Sequence, residues 1–204
     1  MKKIIAIFAT IAFCSYLATS QANAYYPSLM DSYPTKFLKY SYTNSAYKFN
    51  ISFPSNFSIK TSDINSIGFH LNKPIVQIGQ NITYTNPDNI QQQVTASGNL
   101  VISVQNAITR SKCYSINSPI GQLTERVVIN GISFEHGTFS DHAAGNTYDS
   151  SIYRTYKDKV CYGIDYVIHT SSDGSPWYNQ IKQEAKQYFE SNLNRIVSSF
   201  TLLK

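Results

Sequence analysis

The sequence predicts an α+β domain in which an antiparallel β-sheet meander is covered by one long C-terminal helix. Much of the chain after residue 46 alternates apolar and polar residues, which is the period of a half-buried strand. Residues 176–197 instead repeat apolar residues at helical spacing. A chain of 204 residues with 14% aromatic residues has room for one such domain and enough aromatic surface to form its core.

The first 24 residues indicate a secretory signal peptide. Two lysines precede an apolar run over residues 4–17, and residues 22–24 have the small-residue pattern of a cleavage site. The run is shorter than the roughly 20 residues that span a bilayer, so we expect cleavage after residue 24 and no transmembrane anchor afterwards. Lipid attachment at Cys14 is the alternative, and Phe13 disfavours it because lipoprotein signals have a small residue there.

Removal of this leader takes away two lysines and no acidic residue, so the formal charge falls from +5 to +3. The remaining cations are scattered and form no run that would neutralise a row of phosphates, which argues against nucleic acid as a partner. We therefore expect a periplasmic or secreted protein whose partner is a protein or an envelope component.

The cysteines fit the same compartment. Once Cys14 is removed with the leader, Cys113 and Cys161 remain as an even pair in a protein sent to an oxidising environment. We expect one disulfide between them, which would stabilise the fold by about 4 kcal/mol for a loop of this length. Two buried free thiols are the alternative.

The mature chain begins with a stretch that lacks sustained periodicity. Residues 25–46 are rich in tyrosine, serine and proline, with Pro27 and Pro34 among them. We interpret this stretch as an extended arm or linker that precedes a single domain over residues 47–204.

The first half of the domain indicates strands. Alternation over residues 47–53 predicts one strand, and a break at Pro54 leads to another over residues 57–60. Residues 64–84 alternate less regularly and stay ambiguous. After a polar tract of asparagine and glutamine, residues 100–104 predict a further strand.

The second half indicates an antiparallel meander. An Asn-Gly pair at residues 130–131 is a two-residue hairpin signal between strands at residues 126–129 and 132–134. Strands over residues 148–156 and 160–169 follow, joined by a short polar turn. The sheet predicted in this half is therefore built from strands that are consecutive in the chain.

A helix closes the predicted domain. Ser175 and Pro176 have the chemistry of an N-cap and of the first helical position. The apolar stripe of the following residues must cover a face of the sheet, because the alternating aromatics would otherwise stay in water. A short strand over residues 199–202 follows, and no internal repeat is detectable.

Several segments resemble a known family. They are Tyr47-Lys48-Phe49-Asn50-Ile51-Ser52-Phe53-Pro54, Asn130-Gly131-Ile132-Ser133-Phe134, Tyr153-Arg154, Cys161-Tyr162 and Ile196-Val197-Ser198-Ser199-Phe200. Together they resemble bacterial secreted proteins and lipoproteins of the PsbP-like type, over most of residues 47–203. The resemblance implies the Mog1/PsbP-like layered architecture, a curved antiparallel sheet flanked by helices, and it implies binding with no particular activity.

Catalytic signals are sparse. The sequence contains no nucleophile-elbow, zincin, Cys-x-x-Cys, dinucleotide-binding or P-loop motif, and it implies no cofactor. His136, Asp141 and His142 are candidate metal ligands because imidazole and carboxylate suit zinc. On an extended strand residues 136 and 142 lie about 20 Å apart, so coordination requires a turn between them. Solvated loop histidines are the alternative.

Tyrosines and one arginine are the candidate binding residues. Tyrosine combines apolar area with a polar tip, which suits protein or glycan surfaces. Arg154 is a candidate for binding an acidic ligand, with an ion pair to Asp149 or Asp165 as the alternative. Packing of the arm on its own domain is the alternative to contact with a partner. The tyrosines of the arm that we expect to contact a partner are Tyr25, Tyr26, Tyr33, Tyr40 and Tyr42.

We therefore expect a non-catalytic extracytoplasmic domain that binds a protein or an envelope component through a sheet face or the aromatic arm. The alternative is a small metal-assisted hydrolase that uses His136 and His142.

Overall fold

The computed structural model describes residues 38–64, 71, 73–86, 89–116, 122–171 and 176–204. The predicted signal peptide and the first part of the predicted arm, with Tyr25, Tyr26 and Tyr33, lie outside these residues. Within them the chain forms strands and helices in the order β1 (Leu38–Asn44), β2 (Phe49–Pro54), β3 (Ser58–Lys60), β4 (Pro74–Asn86), β5 (Asn89–Asn106), α1 (Arg110–Tyr114), β6 (Glu125–Ile129), β7 (Ile132–Ala143), β8 (Asn146–Lys157), β9 (Val160–Ser171), α2 (Pro176–Ser198) and β10 (Thr201–Leu202).

The strands form a large and a small antiparallel sheet. The large sheet has the order β3-β4-β5-β9-β8-β7-β6, and the small sheet has the order β1-β2-β10. The hairpin between β6 and β7 turns at Asn130 and Gly131, which have φ angles of 49° and 77°. Residues 144–145 and 158–159 also have positive φ angles and close the next two hairpins. The meander predicted for the second half is confirmed.

The small sheet includes part of the stretch that we interpreted as an arm. Residues 38–44 form β1 and pair with β2, and Leu38 and Tyr42 pack against the hydrophobic core. The alternation of residues 49–53 places Phe49, Ile51 and Phe53 in the interior and explains why this stretch forms a strand. The described part of the arm is thus joined to the domain.

Strand β5 is longer than the sequence predicted. It starts at Asn89 and includes most of the polar tract that precedes residue 100. Residues 94, 96, 98 and 100 are buried on one face, whereas Thr95, Ser97 and Asn99 alternate with them and are more exposed. The mainly polar residues 89–95 join the strand in spite of their composition because they extend the pairing with β4, whereas β9 pairs from Ala96 onwards.

Helix α2 covers one face of the large sheet and contacts β2, β5 and β9. Its buried residues Ile181, Ala185, Phe189 and Leu193 recur at helical spacing. At Gly98 of β5 the helix approaches so closely that a Cβ atom would lie 2.3 Å from Cδ1 of Phe189. The prediction of an antiparallel sheet covered by a long C-terminal helix is confirmed.

On the other face of the sheet, a disulfide joins Cys113 of α1 to Cys161 of β9. Their Cα atoms lie 5.5 Å apart, and 48 positions separate the two residues in the sequence. The predicted pairing is confirmed. Thr109 caps the short helix by accepting a hydrogen bond from the backbone N–H of Lys112. The disulfide therefore fixes a segment with little secondary structure of its own against the sheet.

None of the helices in the described part of the chain has the length and apolar character needed to span a membrane.

Candidate functional site

The two described arm tyrosines differ in what they offer a partner. Tyr40 is 48% exposed, with its ring 6.0 Å from that of Phe53. Tyr42 is half-buried, and its hydroxyl accepts a hydrogen bond from Asn44 Nδ2 at 3.1 Å. Tyr40 therefore presents an aromatic surface to solvent, whereas Tyr42 belongs largely to the small sheet. A contact between either tyrosine and a partner stays a prediction.

Arg154 lies in the interior rather than at a ligand surface. It is 2% exposed and binds the carboxylate of Asp165 with both terminal nitrogens, one of them at 3.0 Å. Gly163 provides room for the guanidinium, since a Cβ atom there would lie 2.9 Å from Arg154 Nη1. Burial raises the pKa of Asp165, and the charge of Arg154 opposes that rise. The structure thus shows the ion pair that we gave as the alternative for Arg154.

The three candidate metal ligands lie along one continuous strand. His136, Asp141 and His142 belong to β7, which pairs with β8 without interruption from residue 135 to residue 143. His136 is buried, whereas Asp141 and His142 are exposed. The turn that coordination would require is not present between them. Among the described residues, no group of three or more His, Cys, Asp or Glu side chains is placed to hold a metal ion.

His136 instead belongs to a hydrogen-bonded chain. Its Nδ1 lies 2.6 Å from Glu125 Oε1, and its Nε2 lies 2.7 Å from Ser151 Oγ. The imidazole stacks on the ring of Tyr153, with centroids 4.2 Å apart. The carboxylate end is open to solvent, since the Glu125 side chain is 60% exposed, whereas Ser151 is buried. We call Glu125, His136 and Ser151 the polar triad.

The strand register explains how the triad is assembled. Glu125 of β6 lies directly opposite His136 of β7. Ser151 of β8 lies opposite Thr138, two residues along β7 and on the same face as His136. Of the three residues, His136 is a candidate by sequence, whereas Glu125 and Ser151 are part of no motif. The Asn-Gly hairpin signal was enough to pair Glu125 with His136, because a two-residue turn fixes the register.

Ser151 opens onto a groove between the sheet and α2, which we call the serine groove. Its volume is about 430 Å³. Lys186 Nζ lies 3.0 Å from Asp149 Oδ2, and Ser140 Oγ donates to Asp149 Oδ1 at 2.5 Å. Burial raises the pKa of Tyr166, so its hydroxyl stays protonated and donates to Asn194 Oδ1. The polar side chains that line the groove include Thr138, Ser140, Asp149, Ser151, Tyr166, Lys186 and Glu190.

A second concave site, the basic cleft, lies near α1 and the β6–β7 turn. Its volume is about 630 Å³. Arg126 donates two hydrogen bonds to Glu135 Oε1, at 2.8 and 3.1 Å. Arg110 lies 6.0 Å from the centroid of the Tyr114 ring. The charged and aromatic residues that line the cleft are Arg110, Tyr114, Arg126, Glu135, Tyr156 and Lys157.

The charge of this cleft is not compensated within the described residues. Arg126 and Glu135 neutralise each other, whereas neither Arg110 nor Lys157 has an ion pair in this part of the structure. The Tyr156 hydroxyl donates to the backbone carbonyl of Ile108 at 3.0 Å, which fixes one wall. The cleft thus presents two cations and two aromatic rings to solvent.

Solved structures include several that are similar to this chain, each at a TM-score of 0.41. A protein from Bacteroides thetaiotaomicron is 10% identical, with 82% of this chain covered and 50% of that chain, so this chain spans about half its length. Cyanobacterial PsbP from Synechocystis is 10% identical, with 80% and 91% covered. LpqN of Mycobacterium tuberculosis, described as involved in cell envelope biogenesis, is 12% identical, with 87% and 98% covered.

A PsbP protein, from the family that the sequence resembles, is thus among the structures to which this chain is similar. No protein-family model matches the chain, and no curated protein matches it in sequence.

Proposed function

We propose that this chain is an extracytoplasmic domain that binds a phosphate-bearing component of the cell envelope in the basic cleft. The observation that supports this proposal is the pair of cations, Arg110 and Lys157, at a cleft of about 630 Å³ with no carboxylate partner among the described residues. That volume lies within the range of small-ligand sites.

The residue types of the cleft suit a phosphate group. Arginine presents a planar fork of donors that matches two phosphate oxygens, and lysine adds a mobile point charge. Tyr114 and Tyr156 supply apolar walls with polar tips beside these cations. Because these cations are exposed, dissolved salt screens their attraction for an anion. Binding should therefore weaken as the salt concentration rises.

The disulfide supports an extracytoplasmic location. Disulfides persist in oxidising compartments and are rare in the cytosol, and Cys113 and Cys161 are joined in the structure. Together with the signal peptide that residues 1–24 indicate, this supports export. Mass spectrometry of the exported protein should show Tyr25 as the first residue, and an intact leader or an acylated Cys14 would contradict cleavage after residue 24.

Binding is tested with inorganic phosphate and with vesicles. We expect phosphate to shift the NMR signals of Arg110 and Lys157, and phosphatidylglycerol vesicles to retain the protein where phosphatidylcholine vesicles do not. Binding to both probes supports a lipid headgroup as the source of phosphate, and binding to phosphate alone supports a soluble polymer. Binding to neither probe would contradict the proposal.

A matched pair of variants assigns the binding to the cleft. Arg110→Gln combined with Lys157→Gln should weaken binding tenfold or more, since a hydrogen bond to a charged group contributes about 1.5–3 kcal/mol. Lys60→Gln removes an exposed cation from β3, at the opposite edge of the large sheet, and should leave binding unchanged. Equal effects of the two changes would indicate nonspecific attraction to a basic surface.

The alternative of a metal-assisted hydrolase with His136 and His142 stays a prediction. Both ring nitrogens of His136 contact protein side chains, and His142 lies 3.1 Å from Thr147 through Nδ1. No observation in the described residues favours this alternative over binding in the cleft.

A further inference from the structure

The polar triad has its atoms in the order of a serine hydrolase site. Glu125 Oε1 contacts His136 Nδ1 at 2.6 Å, and His136 Nε2 contacts Ser151 Oγ at 2.7 Å. In this order the carboxylate holds the proton on Nδ1 and leaves Nε2 free to accept the serine proton. Both contacts are within the distance that proton transfer through hydrogen bonds requires.

The surroundings give the serine access to a ligand while they hold the imidazole still. Ser151 lines the serine groove of about 430 Å³, and it is 2% exposed, so only a group that enters the groove reaches its hydroxyl. His136 is 8% exposed and stacks on Tyr153. The nucleophile thus faces a cavity, and the base is fixed behind it.

We propose that Ser151 is a nucleophile for acyl transfer, with His136 as its general base and Glu125 as the residue that positions the imidazole. The substrate class is a small carboxylic ester whose acyl group enters the serine groove. This activity is separate from binding in the basic cleft and goes beyond the function proposed above.

The reaction balances with water as the second reactant. Ser151 Oγ bonds to the ester carbonyl carbon while its proton passes to His136 Nε2, and the ester C–O bond then breaks as that proton moves to the departing alcohol. Water attacks the acyl-serine, gives a proton to His136, and releases a carboxylic acid. The proton returns to Ser151 Oγ, so the triad is restored.

The rate should be low because the strand backbone does not form an oxyanion hole. Ser151 is paired with Thr138 on one side and with Tyr166 on the other, within the ladder of the sheet. Lys186 lines the groove and has N–H groups beyond its ion pair with Asp149 that can donate to a developing oxyanion, whereas the Tyr166 hydroxyl already donates to Asn194 Oδ1. One lost oxyanion donor lowers the rate of known hydrolases by about 10²–10³, so covalent labelling is a better readout than turnover.

The test is acylation of the purified protein by p-nitrophenyl acetate, followed by intact mass measurement and peptide mapping. We expect one acetyl group per chain, on Ser151. Ser151→Ala should abolish the labelling, whereas Ser171→Ala, a serine of β9 that donates to the Thr95 carbonyl, should preserve it. Labelling spread over lysines and unchanged by Ser151→Ala would overturn the proposal.

Two further measurements separate catalysis from a structural role. His136→Gln should lower the acylation of Ser151 at an unchanged melting temperature, because it removes the general base. Glu125→Gln should slow acylation at an unchanged melting temperature. If Ser151→Ala does not fold, mapping of the parent decides: acetyl on Ser151 supports the proposal, and no acetyl above the level of the urea-unfolded chain refutes it.

Discussion

Gly98 of β5 lies under the ring of Phe189, and its replacement by alanine tests whether this contact sets the distance between α2 and the sheet. The added Cβ atom would lie 2.3 Å from Cδ1 and 2.8 Å from Cγ of Phe189. The ring is fully buried, and β5 is paired on both sides at this position. Neither the Phe189 ring nor β5 can therefore move without disturbing the packing or pairing of its neighbours.

The expected cost follows from these contacts. An extra methyl group in a packed core costs about 1–3 kcal/mol, and we expect the upper part of this range because the overlap is with a buried ring. Replacement of glycine by alanine also restricts the unfolded chain, which offsets about 0.4–1 kcal/mol of this loss of stability. Gly98→Ala should therefore lower the free energy of unfolding by about 2 kcal/mol, which corresponds to a fall of roughly 4–8 °C in Tm for a chain of this size.

Gly79→Ala is the matched control. A Cβ atom at Gly79 would lie 2.2 Å from Asn99 Oδ1, which is the end of a half-buried side chain with room to turn. The change should therefore cost less than about 1 kcal/mol, including the weakened hydrogen bond between Gln77 and Asn99. Both variants are compared by urea unfolding, with circular dichroism as the probe.

A double mutant identifies the partner. Phe189→Leu removes the ring atoms that the new methyl group would meet, so Gly98→Ala should cost at least about 1 kcal/mol less in that background. Two results would show that the contact with Phe189 does not set the distance between α2 and the sheet. Gly98→Ala would be as well tolerated as Gly79→Ala, or the losses of stability from Gly98→Ala and Phe189→Leu would be additive.

Three further predictions concern other parts of the fold. Ile196→Asp should cost several kcal/mol, because it places a carboxylate at a fully buried position, and a melting transition within a few degrees of the parent would contradict it. Asp165→Asn should cost about 3–5 kcal/mol in urea unfolding, because it leaves Arg154 buried without its counter-charge, and a loss below 1 kcal/mol would argue that the pair is dispensable. Reduction of the Cys113–Cys161 bond should cost about 4 kcal/mol, and thiol labelling of the unreduced, denatured mature chain should find no free cysteine.

Local signals explain which strands the sequence predicted well. The Asn-Gly turn at residues 130–131 and the polar turn before residue 160 fix their hairpins through positive φ angles, which are properties of a few adjacent residues. The first half of β5 has no such signal. It contains three consecutive glutamines at residues 91–93, so this segment forms a strand because it extends the pairing with β4.

Alternation also settles the partner of Arg154. On β8, residues 149 and 154 are an odd number of positions apart and therefore point to opposite faces of the sheet. Asp165 lies opposite Ile152, on the same face as Arg154, so the side chains meet diagonally across β8 and β9. Without this register, the sequence leaves both aspartates as possible partners of Arg154.

Local sequence signals do not predict the basic cleft. Arg110 and Lys157 are far apart in the sequence, and they line one cavity because α1 packs against β8 and is joined to β9 by the disulfide. A pairing of cysteines predicts that two segments meet, but it does not predict how the helix that contains Cys113 is oriented on the sheet. The cationic pair therefore had no sequence signature.

Several of the segments that resemble the PsbP-like type have structural roles at one junction. Asn130 Nδ2 donates to the carbonyls of Ser198 and Phe200, at 2.8 and 2.9 Å, and so ties the β6–β7 turn to the end of α2. Ser199 Oγ accepts a hydrogen bond from the backbone N–H of Ser52 at 2.8 Å and donates to its carbonyl at 3.0 Å.

Aromatic rings complete the same junction. Phe200 packs on Phe49 and Phe134 at centroid distances of 5.7 and 5.8 Å, and the Tyr162 hydroxyl donates to the Tyr47 carbonyl. These contacts close the helix and the small sheet onto the large sheet, and each of them is satisfied within the protein. Residues with this role specify an architecture, which is why they predict the fold without a ligand. The triad and the cationic pair of the basic cleft are made of other residues, so function in this chain can change while the junction stays the same.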